Sequence, residues 1–191
     1  MARYEKGHKD ETRQRILDVA ARQFRERGTS SAGLAGIMAE AGLTNGAFYI
    51  HFESKQDLIR AVLDDALARR EQVWRKLEDA DDGLVAMIDD YLSARHRDNP
   101  GRGCPTAAMV AEVAREPAAT RATFTERLAA IITRMAAKVK GSSAELREAD
   151  ALAIYALMVG SLQLARAVND KRLSDKILAS GASAARKLAG E

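Results

Sequence analysis

Apolar residues recur along this chain at spacings of three and four, and no stretch shows the strict alternation of a half-buried strand. The pattern predicts an all-α protein of about nine helices. A first helix runs from residue 10 or 12 to 27, with Ile16, Leu17, Ala20 and Phe24 on its inner face and Gly28 as its stop. A short second helix covers residues 32–41, with Leu34, Ile37 and Met38 inward, and Gly42 ends it. Thr44 caps a very short third helix over 45–51. The fourth starts at Ser54, where Asp57 completes a capping-box-like pair. Its stripe of Leu58, Val62, Leu63, Ala66, Val73, Trp74 and Leu77 reaches about residue 80. A fifth carries Leu84, Met87, Ile88, Tyr91 and Leu92, and the run Asp98-Asn99-Pro100-Gly101 ends it. Pro105 suits the first turn of a sixth, to about residue 115. The seventh follows Pro117 through Phe124, Leu128, Ile131, Ile132 and Met135 to Gly141. Ser142 with Glu145 opens the eighth, to about residue 168, and Ser174 caps the ninth, which frays near Gly190.

Composition narrows the choice of function. With 47% apolar residues, 191 residues can bury a real core, and 5% aromatics with three prolines favour helix over sheet. No uninterrupted apolar run approaches the ~20 residues of a membrane span. The polar start, MARYEKGHKDETRQR, lacks an apolar signal core, so a cytoplasmic protein with no membrane partner is expected. The single cysteine, Cys104, excludes an intrachain disulfide and a cysteine-cluster metal site. His8, His51 and His96 lie far apart, so neither metal nor cofactor is expected. Paired carboxylates, a Ser/His/Asp set and a cofactor-binding glycine loop do not stand out, which argues against an enzyme. Net charge is +3, and residues 1–60 carry ten Lys/Arg against eight Asp/Glu. That balance is too even for an architectural protein that bends DNA by charge alone. Any nucleic-acid surface must be locally arranged. Arg3, Lys6, Lys9, Arg13 and Arg15 crowd the start, as a solvated charge run or as a minor-groove arm.

One segment combines these signals. The second helix, the turn at Gly42 and the short third helix form a helix-turn-helix, whose second helix enters the major groove. Thr44 caps that helix, and its N-terminal amides favour a phosphate nearby. Gly46 carries no side chain and lets the helix approach DNA closely. Tyr49 and His51 offer donors on stiff side chains, and Lys55, one turn into the next helix, is placed to meet phosphate. Each has a plainer role open to it: Tyr49 as a core aromatic, His51 as a structural cap, Thr44 as a cap alone.

Residues 12–63 resemble the DNA-binding domain of the TetR (tetracycline-repressor-like) family. The resemblance rests on Thr12-Arg13, Ile16-Leu17, Phe24, Gly28, Ile37, Ala41-Gly42-Leu43-Thr44, Gly46, Phe48-Tyr49, His51-Phe52, Ser54-Lys55 and Leu58. It implies a ligand-responsive transcription regulator, a repressor released from a palindromic operator by a small molecule or an electrophile. By position, Thr44, Asn45, Gly46, Tyr49, His51 and Lys55 are its DNA contacts, while Phe48 and Phe52 pin the helix to the small core. It also implies two domains, a helix-turn-helix domain over 1–53 and an effector-binding and dimerisation domain over 54–191. The chain departs from the family at Ala32-Gly33-Leu34-Ala35-Gly36-Ile37, where Thr or Ser and a charged pair are common. Phosphate contacts from that helix are therefore open, with Ser30 or Ser31 as substitutes, and Gly33 and Gly36 weaken it by roughly 1 kcal/mol each.

The resemblance further implies that the last two helices build a homodimer. Independently, the eighth helix has a broad face of small and apolar residues, on which Leu152, Ala156, Leu157, Gly160 and Leu164 are the interface candidates, with Leu178 from the ninth. Tyr91, Cys104, Met109, Phe124, Tyr155 and Met158 are the candidates for an adaptable effector pocket. The segment Gly-Arg-Gly-Cys-Pro-Thr resembles a branch of the family with a Gly-Cys at the start of the sixth helix, some members of which sense electrophiles or oxidants through it. A helix N-terminus stabilises a thiolate there. A small residue filling a tight corner is the other reading of Cys104.

Overall fold

The computed structural model describes residues 2–78, 82–141 and 143–191, and among these the side chains of all but 2–6 and 76–78. The elements are α1 (Ala2–Arg27), α2 (Leu34–Glu40), a 3-10 segment (Asn45–Ile50), α3 (Lys55–Glu78), α4 (Gly83–Tyr91), α5 (Ala94–Asp98), a second 3-10 turn (Pro100–Arg102), α6 (Pro105–Val113), α7 (Ala118–Ala136), α8 (Ala144–Ala167) and α9 (Lys171–Ala189). No strand occurs among the described residues, so the all-α expectation holds.

The differences from the sequence pattern have local causes. α1 begins at Ala2, so the basic start is helical rather than a tail. A helix already fixed by packing extends through tolerant residues at little cost, without an apolar stripe to announce it. α5 is too short to show a period; Ser93 defines it, its Oγ accepting from the His96 amide at 3.2 Å and donating to the Asp90 carbonyl at 2.7 Å. Asp170, not Ser174, caps α9, accepting from the amides of Arg172 and Leu173. Ser174 is buried one turn in and donates to the Ala165 carbonyl at 2.6 Å. Ser143 caps α8 through the Leu146 amide; the expected Ser142 cap lies outside the described residues, as does the side chain of Leu77. The pair at Ser54 does form, with Ser54 Oγ accepting from the Asp57 amide at 3.1 Å and Asp57 from the Glu53 amide at 3.2 Å.

Two apolar cores result. The first joins Ile16, Leu17, Ala20 and Phe24 of α1 to Ile37, Met38, Phe48 and Phe52. The second packs α4, α7, α8 and α9 around Tyr91, Ile131, Ile154, Met158 and Leu178. α3 serves both, giving Leu58, Ile59, Val62 and Leu63 to the first and Leu67 and Trp74 to the second. α6 is divided in the same way, with Met109 and Val113 in the first core and Cys104 and Ala107 in the second. Val73, expected inward, is exposed. α8 is long and apolar enough to cross a membrane by length and composition. Here its inner face is a core face, carrying Ala151, Ile154, Tyr155, Met158, Val159 and Leu162.

Candidate nucleic-acid interface and effector region

α2 ends as the glycine spacing requires. Gly42 sits at φ +71°, its amide bonding the Ala39 carbonyl and the Leu43 amide the Met38 carbonyl, a paired closure that satisfies two end carbonyls. The left-handed angle makes Gly the economical residue there. The chain then turns at Thr44, whose backbone is extended as a cap should be but whose hydroxyl makes no capping bond. Thr44 is therefore at the cap position without the capping role, and its exposed hydroxyl is unengaged by the helix. The helix that follows is 3-10 and not α, tighter and with a longer rise per residue.

That geometry sorts the aromatic run. Phe48 and Phe52 are buried and stacked, with ring centroids 5.6 Å apart, and Arg13 lies over the Phe52 ring at 4.9 Å. Tyr49 meets the edge of Phe48 at 5.2 Å yet is 72% exposed. The core reading of Tyr49 is thus excluded. Thr44, Asn45 and Gly46 are exposed alongside it, and a side chain at Gly46 would meet nothing within 4 Å. Lys55 is half-buried in the first turn of α3. His51 is half-buried with Nδ1 covered and unpartnered. Burial first, then the cations Lys9 and Arg13, push its pKa below the ordinary value. The same surroundings disfavour the charged form of the His51 ring. Ile50, 62% exposed beside Tyr49, was missed. Its apolar neighbours in sequence read as core, and only the 3-10 geometry turns it outward.

The two cores are pinned to each other by polar contacts. Arg25 of α1 donates from Nε and Nη2 to the Gly101 carbonyl at 2.8 and 2.6 Å. The amide of Thr29, just beyond α1, donates to both oxygens of Glu112 on α6, at 3.1 and 3.0 Å. Cys104 stands at the N-cap of α6, and its amide donates to His96 Nε2 at 2.9 Å. Because an amide can only donate, His96 must carry its proton on Nδ1, which donates to the Tyr91 carbonyl at 2.7 Å. Burial lowers the pKa of His96 to about 4, with Arg70 and Arg166 adding to the fall against the Tyr91 bond.

Of the six expected effector residues, three converge. The hydroxyls of Tyr91 and Tyr155 both face the Cys104 thiol, and burial holds both phenols well above 10. Tyr155 donates to Thr106 Oγ1 at 2.8 Å, while the Tyr91 hydroxyl has no hydrogen-bond partner. Met158 lies buried in the same core, and Phe124 packs half-buried against both cores. Met109 departs from the expectation. It points into the first core, because α6 passes between the two and presents opposite faces to them. Cys104 itself is only 1% exposed.

The comparisons with known proteins follow this geometry. A profile of bacterial regulatory proteins of the tetR family matches residues 16–62. AcrR, an HTH-type transcriptional regulator of Shigella flexneri, is 50% identical over 62 residues, which are 32% of this chain and 29% of AcrR. TtgR, an HTH-type transcriptional regulator of Pseudomonas putida, is 38% identical over 82 residues, 43% of this chain and 39% of TtgR. Over 94% of this chain and 97% of the other, the structure is similar to SCO4454, a TetR-family transcriptional regulator from Streptomyces coelicolor, at 27% identity and a TM-score of 0.65. It is the DNA-binding segment, residues 16–62, that is of the TetR type. The matches span less than half the length of these curated relatives, 29% and 39%. The reduced form of NemR from E. coli, at 20% identity and a TM-score of 0.77 over 93% of this chain and 96% of that one, is a likeness of fold alone.

Beyond that segment, the outer side of α8 is bare. Leu152 and Leu164 are exposed large apolar residues, Ala156 lies exposed between them, and Leu157 and Gly160 are half-buried. A side chain added at Gly160 would meet nothing within 4 Å. Leu173 of α9 is exposed beside this face. Leu178 is not part of it; it points inward, because the close α8–α9 packing within the chain consumes that side of α9.

Proposed function

We propose that the protein is a ligand-responsive transcription regulator, working in the cytoplasm as a homodimer and acting as a repressor that a small effector releases from a palindromic operator. The observation that carries this reading is the exposed row Thr44, Asn45, Gly46 and Tyr49, held on the stacked Phe48–Phe52 pair and flanked by Lys55. A stiff aromatic donor, small polar groups and a glycine that admits close approach suit a major groove, and Lys55 suits the backbone. Ile50 adds an apolar surface fit for a thymine methyl group. The outer face of α8 is the surface on which two copies would meet, placing two recognition segments about one turn of DNA, ~34–36 Å, apart or a multiple of it. A ligand that moves α6 or the Arg25 and Glu112 contacts changes that separation. A reversibly bound ligand fits better than an electrophile, because a reacting thiol must be reachable and Cys104 is not.

The test is binding to a duplex selected from a random pool. Tyr49→Ala and Lys55→Ala are expected to weaken binding about tenfold or more with melting temperatures unchanged. Lys55→Ala should also lower the slope of log affinity against log salt by about one. Two variants that bind like the parent would remove the recognition segment from the reading.

A further inference from the structure

A groove of about 340 Å³ runs between α1, α3 and residues 101–105, beside the Tyr91–Cys104–Tyr155 cluster, with Ala21, Ala66, Val73 and Pro105 among its apolar walls. Five arginines and two aspartates line it. Most of these charges are already engaged. Arg69 pairs with Asp18 and Asp65 at 2.7 and 2.9 Å, Arg22 pairs with Glu26 and Glu40, and Arg25 holds the Gly101 carbonyl. Arg70 and Arg102 are the least engaged, and both also line an adjoining cleft with Asp90, Arg95, His96 and Asn99.

Arg70 is the anomaly. Its guanidinium lies over the rings of Trp74 and Tyr91 at 5.5 Å from each, with its side chain 15% exposed. Its Nε and Nη2 are covered and have no hydrogen-bond partner, as does the Tyr91 hydroxyl. Its one ion pair is loose, 4.0 Å from Nη2 to Oδ2 of Asp90, whose other oxygen is held by Arg95. A covered guanidinium without acceptors is costly, and Nε with Nη2 is the edge that receives a carboxylate through two parallel bonds.

We propose that this groove binds a small organic monocarboxylate, its head received by Arg70 with help from Arg102 and its apolar body lying over Ala21, Ala66 and Val73. No hydrogen bond holds the Arg70 guanidinium in place, so its donor edge can turn to the entering acceptor. Asp18 and Asp65 in the wall disfavour a doubly charged phosphate. The site accounts for Val73, an apolar residue of α3 left 47% exposed. A ligand there touches both cores beside the Arg25–Gly101 contact; that it thereby shifts operator affinity rests on the regulator reading above.

Calorimetry on the intact protein without DNA separates the two claims. Benzoate and hexanoate should bind at least tenfold more tightly than benzamide and hexanamide, which share their shape without the charge. Arg70→Met should weaken the carboxylates ten- to a hundredfold, and Arg70→Lys, which keeps the charge but loses the fork, should fall between. Val73→Glu, at an exposed position that threatens no core, should abolish the binding by repulsion. Carboxylates that bind no better than the amides, or that bind Arg70→Met and Val73→Glu as well as the parent, overturn the site. Carboxylates that bind as stated while selected-duplex affinity stays constant leave the site standing and overturn its link to DNA release.

Discussion

His96 holds three segments together with one ring. Its Nδ1 donates to the end of α4, its Nε2 receives the first amide of α6, and its backbone carbonyl accepts from Arg166 of α8 at 2.6 Å. A proton on Nε2 would turn the Cys104 amide contact from attraction to repulsion. Burial, which comes first, keeps this ring neutral in the folded protein, with a pKa of about 4 against the ordinary 6.5. A folded value below the unfolded one means that the stabilisation is complete above pH 6.5 and is lost as pH falls from there toward 4. It amounts to at most roughly 3.5 kcal/mol. His96→Gln should be less stable than the parent at pH 7.5, and the gap in urea unfolding should close between pH 6.5 and 4. Carboxylate titrations common to both proteins cancel in that difference. A gap that is constant with pH would show that the ring is not held neutral by the fold.

At the scale of elements, α6 is the joint. Nine residues long, it enters at Cys104, sends Ala107 into one core and Met109 into the other, and near its end offers Glu112 to the Thr29 amide beyond α1. Thr29 is buried, so its amide has Glu112 in place of water. Glu112→Ala should leave that donor unsatisfied at a cost of about 1–3 kcal/mol. For a chain of this size that is a fall in melting temperature of roughly 2–12 °C. Amide hydrogen exchange is expected to rise at Thr29 and in the following turn into α2, while α8 and α9 stay protected. Exchange that rises evenly over the whole chain, or not at all, would deny Glu112 its role as the link between the cores.

At the scale of the molecule, the folded chain leaves apolar surface on one side of α8 that its own elements do not cover. Leu152 and Leu164 exposed on one helix, with a bare glycine between them, form a patch of the kind that marks association. Gly160→Glu places a charge there in open space, so the monomer should still fold cooperatively, melting below the parent only by what association adds. Light scattering should then report a monomer, with selected-duplex binding lost, since two half-sites need two recognition segments. A Gly160→Glu protein that remains dimeric moves the interface elsewhere.

The all-α class and the places of the longer helices, the stops at Gly28 and Gly42, the Ser54–Asp57 cap and the helix-turn-helix were legible from residues because each is set by neighbours within a turn or two. Gly28 and Gly42 both take the positive φ their positions suggested. The short motif also pointed to Tyr49 and Lys55 directly. What the pattern of positions left open was which of two apolar faces turns inward. α8 is apolar on both, and only its partners decide that Tyr155 and Met158 face the core while Leu152 and Leu164 face out. The same competition sends Leu178 inward, Met109 to the first core and Val73 to a groove wall. Ile50 needed the 3-10 geometry to be seen as surface, and Asp170 displaced Ser174 as a cap because Ser174 found the Ala165 carbonyl instead. Arg70 is the extreme case. Its i+4 neighbour Trp74 was visible in sequence, but the stacking on Tyr91, the distance to Asp90 and the missing acceptors exist only once α3 and α4 are packed together. Local spacing fixes backbone hydrogen bonds; burial, and with it the energy of every charge and polar group, is a property of the assembled chain.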